Sequence, residues 1–339
     1  MNNDYGPITQ WLARMPKAEL HLHIDGSLRA QRLLSLAEKH GVTLPYATVE
    51  AVESAYNFED LQSFLDLYYL GASVLRDADD FYWLMRDYLD VCREQNIVHC
   101  EIMVEPQTYA PQGVSLATVL EGFDKAIKEA HSAWGVSVKL ILSFLRHLPE
   151  EDCLDVLKAA DAHRDAFVAI GLASAERDFP PRGFQRLYAA AAERGYALTA
   201  HAGEEGPSQY IRDAIELLHV GRIDHGVRCV DDAELVAQLS QSRIPLTVCP
   251  LSNVRLRVYD SMRDHQLLDL LDQGVCITVN SDDPAYFGGD LLENFAAMES
   301  ELGMSRAQAI QLVRNGFEAA YLDAAQREKF LEQVNAYCD

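Results

Sequence analysis

Eight short runs rich in β-branched and aliphatic residues recur along this chain, and stretches with helical apolar spacing separate most of them. The runs cover residues 17–24, 97–105, 137–145, 167–173, 197–202, 222–225, 245–249 and 276–281. Between them, segments such as 184–193, 210–218 and 232–240 repeat apolar residues at the three- and four-residue intervals of a helix face. A strand followed by a helix, eight times over, predicts an α/β fold of one kind: a closed (β/α)8 TIM barrel with right-handed crossovers and its helices outside. An open doubly wound sheet is the competitor. It places a glycine-rich phosphate turn after its first strand, and none follows residues 17–24.

The spacing of the runs is uneven. About seventy residues separate the first from the second, and that stretch carries helical patterns at 33–40, 61–70 and 81–92. It is rich in aromatic residues: Tyr56, Phe58, Phe64, Tyr68, Tyr69, Phe81, Tyr82, Trp83 and Tyr88. Most are expected to form the core of extra helices, with one or two lining a lid over a flat ligand. No internal repeat, low-complexity tract or Pro/Gly/Ser linker divides the 339 residues. The expectation is a single domain over 1–339, with a helical lid-like insert at about 45–95.

A hydrophobic fraction of 49% with 24% charged residues supports a large buried core and excludes a disordered or fibrous chain. No apolar run approaches the roughly 18 residues of a membrane helix. The polar residues 1–10 lack the basic-then-apolar layout of a signal peptide, so the expected location is cytoplasmic. Lys and Arg total 29 against 52 Asp and Glu, a formal charge of −23. Such a surface repels polyanions, which argues against nucleic acid and anionic membrane as partners and leaves room for a small neutral or cationic substrate. The seven cysteines form no C-x-x-C pair, so neither a disulfide framework nor a thiolate zinc site is indicated. No pattern in the chain speaks to oligomeric state.

The chemistry gathers at the C-terminal ends of the runs, where barrel enzymes keep their active sites. In Glu19-Leu20-His21-Leu22-His23-Ile24 a period of two puts both histidines on one face and Leu20, Leu22 and Ile24 on the other. The fifth run ends in His201, followed by Ala202-Gly203-Glu204; the sixth ends Asp224-His225-Gly226; the eighth runs into Asp282-Asp283-Pro284. Hydrogen-bonded core histidines would explain one such ending. Four of eight are harder to attribute to packing, because charged groups are rarely buried unpaired.

Three imidazoles and a carboxylate suit one zinc ion, with His21, His23, His201 and Asp282 as ligands and a position left for water. Such an ion lowers the pKa of water towards neutrality. Glu204 is then the candidate proton shuttle and His225 the residue that orients hydroxide. Asp283 cannot point the same way as its neighbour while the strand stays regular. Pro284 biases it to an extended conformation, which leaves its carboxylate to contact substrate. Rim salt bridges or helix caps are the alternative use of Glu204 and Asp283. Glu101, Glu105, Arg146 and Ser174 also lie near strand ends, with roles left open. His99-Cys100-Glu101 spells the H-x-E of cytidine-type deaminases, but no P-C-x-x-C follows; H-E-x-x-H, G-x-S-x-G and P-loop motifs are absent.

Four blocks together resemble the adenosine/adenine deaminase family of the amidohydrolase superfamily. They are Pro16-Lys17-Ala18-Glu19-Leu20-His21-Leu22-His23, His201-Ala202-Gly203-Glu204, Arg222-Ile223-Asp224-His225-Gly226 and Ser281-Asp282-Asp283-Pro284. Residues 200–207, 219–229, 245–257 and 279–289 look like the branch that deaminates free adenine. The resemblance implies zinc on His21, His23, His201 and Asp282. It also implies a proton delivered to the purine ring by Glu204, His225 acting on the water, and Asp283 bonding the imidazole side of the purine. The implied reaction converts adenine to hypoxanthine and ammonia.

Two departures from that branch bear on substrate. Where the branch has H-L-E-G this chain has His23-Ile24-Asp25-Gly26, an aspartate usual in nucleoside deaminases, where it contacts the sugar. Where the branch has G-L-D-S-S-E the chain reads Gly171-Leu172-Ala173-Ser174-Ala175-Glu176. Shorter side chains predict a larger, less polar pocket with Asp25 and Ser174 against the substrate. The resulting alternatives are an N6-substituted adenine or adenosine. Other classes on the same scaffold are a mononuclear ester or amide hydrolase, or a silent binding protein, which would be expected to lack Glu204 or a ligand.

Overall fold

Eight parallel strands pair in sequence order around a barrel: β1 (Lys17–His23), β2 (Ile97–Val104), β3 (Ser137–Leu145), β4 (Phe167–Ala173), β5 (Ala197–Ala202), β6 (Arg222–His225), β7 (Leu246–Val248) and β8 (Ile277–Val279). The structure, a computed structural model, describes residues 5–338; residues 1–4 of the polar N-terminal stretch and residue 339 lie outside it. The seam closes just past β8. Leu22 bridges Asp282 in parallel, His23 N donates to Asp282 O at 3.0 Å, and Asp282 N donates to His21 O at 3.2 Å. The (β/α)8 barrel read from the alternation is therefore the fold.

Strands β3 to β6 match the sequence runs residue for residue, whereas β7 and β8 keep only three residues each. Pro245 has no N–H for the ladder, and the helix Pro250–Arg255 begins directly after Cys249. At the other strand, Asp282 adopts φ 65°, which takes the chain out of the extended region. Strand β1 stops at His23, and Ile24–Ser27 form a single 3-10 turn.

Five helices surround or precede the first crossover: α1 (Pro7–Leu12), α2 (Ala30–His40), α3 (Val49–Ser54), α4 (Leu61–Ala72) and α5 (Ala78–Glu94). Local chemistry sets their ends. Asp60 caps α4 by accepting from Ser63 N at 2.9 Å, and Asp77 caps α5 by accepting from Asp80 N at 3.1 Å. The expected helical insert is thereby split between two cores. Phe81, Leu84, Met85, Tyr88 and Leu89 of α5 pack in the main core with Leu20, Leu22, Ile24 and Phe317. Phe58, Phe64, Leu65 and Tyr68, on and just before α4, form a separate cluster with Leu256, Tyr286 and Phe287 over the barrel mouth. Each fully buried aromatic of this kind contributes roughly 1.5–3 kcal/mol of burial energy.

Inside the barrel, Arg222 Nη1 meets Glu101 Oε2 at 2.5 Å and the guanidinium lies 4.3 Å from the Tyr321 ring centroid. Glu101, whose role the sequence left open, is thus paired below the site. Among the described residues no helix is long and apolar enough to cross a membrane.

Candidate active site

The two β1 histidines point into the barrel, as alternation requires, and meet His201 from β5 and Asp282 from the seam. His21 Nε2 lies 3.2 Å from Asp282 Oδ1, His23 Nε2 lies 3.5 Å from the same oxygen, and His23 Nε2 lies 3.2 Å from His201 Nε2. One ligand atom from each residue falls within 4.8 Å of the others, and all four side chains are buried. His21 Nε2 has no hydrogen-bond partner despite full burial. Three imidazole nitrogens and a carboxylate oxygen that converge on one buried point are the donor set of a zinc site, so these residues fit a zinc ion.

The outer nitrogens of the first two rings are held. Thr247 Oγ1 sits 2.9 Å from His21 Nδ1 and donates to Asp224 Oδ1 at 3.0 Å. Glu105 Oε1 sits 2.5 Å from His23 Nδ1, and Tyr68 Oη donates to its other oxygen at 2.7 Å. Both contacts fix the ring orientation that turns Nε2 inward. Burial disfavours charge on His23, yet Glu105 holds its pKa well above the usual histidine value. Burial and the neighbouring rings of His21 and His225 push His201 well below that value, which keeps its imidazole neutral.

Above this cluster lies a cavity of about 400 Å³, whose walls include Leu61, Phe64, Leu65, Tyr68 and Tyr69 from α4 and Phe287 from across the mouth. Three further groups face it: Glu204, His225 and Asp283. Burial and then the charges of Asp282 and Glu176 hold Glu204 well above the ordinary carboxylate range, which favours its protonated form. Asp283 is raised in the same way, by burial and then by Asp282, and its Oδ1 is buried without a partner. Burial opposes ionisation of Asp282 too, but His21 and His225 draw it well below the usual value. Burial lowers His225 to about 3, and its Nε2 lies 3.5 Å from Glu204 Oε2 and 3.7 Å from Asp282 Oδ2.

The adjacent carboxylates Asp282 and Asp283 both reach this space, which a regular strand forbids. The left-handed turn at Asp282 removes that restriction. Ser174 also lines the cavity, at φ 77°, but its hydroxyl is shared between Tyr69 Oη at 2.9 Å and His147 Nδ1 at 2.8 Å. Asp25 does not line the cavity. The turn after β1 tucks it under α4, where it is 2% exposed and accepts from Tyr109 Oη at 2.6 Å and Tyr68 Oη at 3.3 Å. The expected contact of Asp25 with substrate is not formed by the cavity walls, because Tyr68 and Tyr109 hold its carboxyl group beneath α4.

One residue went unassigned in the sequence although its block was singled out. Glu176 accepts from four consecutive backbone N–H groups: Gly203 at 2.6 Å, Glu204 at 3.0 Å, Glu205 at 2.8 Å and Gly206 at 2.7 Å. Gly203, at φ 70°, permits the concave backbone that such an anion nest needs. Arg146 braces the same corner, donating from Nη1 to His201 O at 2.7 Å and from Nε to Phe179 O at 2.8 Å.

Comparison with known proteins agrees with this geometry. Residues 16–337 match the family model described as Adenosine deaminase. The adenine deaminase of Hahella chejuensis is 50% identical over 327 residues, 96% of this chain and 98% of that protein. The crystal structure of an adenine deaminase from Arthrobacter aurescens superposes with a TM-score of 0.94 at 44% identity, covering 96% of this chain and 99% of the other. An amidohydrolase from Burkholderia ambifaria with bound zinc gives a TM-score of 0.89 at 25% identity, over 100% of this chain and 96% of that one.

Proposed function

The chain belongs to the adenosine deaminase family, and from that premise we propose that this deaminase hydrolyses adenine to hypoxanthine and ammonia with one zinc ion per chain. The observation that carries the reading is the placing of two buried carboxyl groups, Glu204 and Asp283, at a small cavity whose floor is a cluster of three histidines and one aspartate. His21, His23, His201 and Asp282 would hold the zinc ion, which would supply Lewis acidity and an activated water at neutral pH. The zinc bound by the Burkholderia relative supports that assignment.

The protein's own groups handle the purine. Asp283, kept protonated by its surroundings, donates to the imidazole side of the base and sets its orientation. Glu204 gives its proton to the ring nitrogen beside the carbon that carries the exocyclic amine, which makes that carbon electrophilic. His225 holds the attacking oxygen in line. As the carbon–oxygen bond forms, the attacking water gives one proton to the Glu204 carboxylate, which has just lost its own; the proton left on that oxygen then passes to the amine as the C–N bond breaks, which leaves the carbonyl of hypoxanthine and free ammonia. The aromatic and aliphatic lid from α4 excludes bulk water, so that each of these contacts acts in a medium of low dielectric.

Adenine ranks above the alternatives because the aspartate that would contact a sugar, Asp25, is occupied by Tyr68 and Tyr109. The test is formation of the 6-oxopurine product from adenine, adenosine and N6-methyladenine (hypoxanthine, inosine and hypoxanthine in turn) by purified, metal-analysed protein, with Glu204→Gln beside it. Adenine is expected to give the highest kcat/KM, and the variant to keep its metal while losing about 10²–10⁴-fold in kcat. Faster turnover of adenosine or N6-methyladenine would overturn the substrate, and a near-normal Glu204→Gln would overturn the shuttle.

A further inference from the structure

Residues 245–257 form a block whose buried asparagine the reaction above leaves unused. Asn253 is fully buried behind His225. Three hydrogen bonds run in series to that histidine. Leu267 N donates to His265 Nδ1 at 3.2 Å, His265 Nε2 meets Asn253 Oδ1 at 3.2 Å, and Asn253 Nδ2 meets His225 Nδ1 at 3.4 Å.

A backbone N–H can only donate, so the direction of the whole series is set from its far end. His265 Nδ1 must accept, which puts that ring's proton on Nε2. This N–H needs the carbonyl oxygen of Asn253, so the amide NH2 faces His225. His225 Nδ1 then accepts in its turn, and the proton of the ring resides on Nε2, the nitrogen in the cavity. On the cavity side, Nε2 lies 3.5 Å from Glu204 Oε2 and 3.7 Å from Asp282 Oδ2. The series is also rigid. His265 is 4% exposed and stacks on Tyr259 with centroids 4.3 Å apart, while Asn253 O accepts from Val258 N and Tyr259 N at 2.9 and 3.1 Å.

We infer that Asn253 and His265 are positioning residues that hold His225 as a hydrogen-bond donor, Nε2–H towards the attacking oxygen, and withhold from it the role of proton acceptor. This rests on the deaminase reading of the cavity given above. His225 then stabilises negative charge on the oxygen without taking its proton.

The test uses the zinc-loaded protein with ¹⁵N-labelled histidine rings, His225 being assigned by the signals lost in His225→Asn. Kinetics of Asn253→Asp run alongside. Aspartate has the same shape but, when ionised, only accepts, so it draws a proton onto His225 Nδ1 and reverses the last link while the bond from His265 keeps its direction. The wild-type protein is expected to show a proton on His225 Nε2 and a bare Nδ1. In Asn253→Asp the proton is expected on Nδ1, with kcat lowered by about 10²-fold and KM within about threefold at unchanged metal content. A proton on Nδ1 of wild-type His225 overturns the inference, as does an Asn253→Asp enzyme with wild-type kcat. Should that variant not fold, His265→Leu and His265→Gln decide the matter. Leucine removes the donor to Asn253 and glutamine keeps one, so a larger loss in the leucine variant is expected and equal losses overturn the series. The ring signals require no turnover. A bare Nδ1 in a protein that ignores adenine would therefore refute the proposed substrate and leave the positioning role standing.

Discussion

Replacing Glu176 by glutamine asks whether charge holds the loop that carries Glu204. The carboxylate takes one N–H on Oε1, from Gly203 at 2.6 Å, and three on Oε2, from Glu204, Glu205 and Gly206 at 3.0, 2.8 and 2.7 Å. Glutamine keeps the length but turns one oxygen into an NH2 that can only confront another donor. With its oxygen in the place of Oε2, the bond to Gly203 is lost and the other three become neutral. A hydrogen bond to a charged group is worth about 1.5–3 kcal/mol against about 0.5–1.5 for a neutral one, so the sum of one loss and three weakenings is roughly 4.5–7.5 kcal/mol. An unfolding entropy near 2.1 cal/mol/K per residue gives about 0.7 kcal/mol per degree for 339 residues, hence a Tm lowered by about 6–11 °C. Calorimetry reads that shift. Steady-state kinetics read its consequence, because a misplacement of about 1 Å at Glu204 costs on the order of 10²-fold in kcat. If Glu176→Gln melts within about 1 °C of wild type and turns over normally, the loop is held by its own backbone geometry and the electrostatic reasoning is wrong.

Three further outcomes follow from the same geometry. A Cβ at Gly26 would stand 2.0 Å from Asp283 Oδ1 and 2.6 Å from its Cα; Gly26→Ala is therefore expected to displace Asp283 and raise KM at least about tenfold, and an unchanged KM in a steady-state assay would show that Asp283 does not orient the base. Chelation should lower Tm by about 6 °C, since a ligand at about a thousand times its Kd adds roughly 4 kcal/mol to the folded state; identical melting curves with and without chelator, on protein shown by elemental analysis to hold metal beforehand, would separate the cluster of His21, His23, His201 and Asp282 from metal binding. Burial lowers Lys17 to about 7 from 10.5, so between those values the unfolded chain holds a proton that the folded chain has released, and stability rises with pH across that window. Denaturant titrations of wild type and Lys17→Met at pH 7 and pH 10 should therefore show the difference moving in favour of wild type as pH rises, and a constant difference would mean that Lys17 stays charged in the folded protein.

How far the residues alone reached depends on the range over which each feature is decided. Strand alternation is local, and so the His21–His23 pair on one face of β1 was legible from a period of two, as were the boundaries of β3 to β6. The terminal positions of His201 and His225 were legible for the same reason, once the barrel brought all strand ends to one rim. The candidate roles of Glu204 as proton shuttle and Asp283 as substrate contact were read from their places beside His201 and Asp282, and the resemblance implied the same roles.

Other features are decided by what the chain meets after it closes. Asp25 follows a histidine by two residues and looked poised for substrate, yet α4, arriving about forty residues later, covers it with Tyr68. The aromatic stretch read as one insert, but α5 joins the barrel wall while α4 roofs the mouth, a division that depends on which partner each apolar face finds. Glu176 and Asn253 looked like ordinary polar residues because their importance lies in the partners at the other end of their hydrogen bonds, 27 to 30 residues away for the first and 28 for the second. Periodicity and turn chemistry act over a few residues, so sequence by itself determined the elements and the face on which each histidine lies. Burial is a property of the assembled molecule, and only the tertiary structure decided which carboxyl groups keep their protons and which face the cavity.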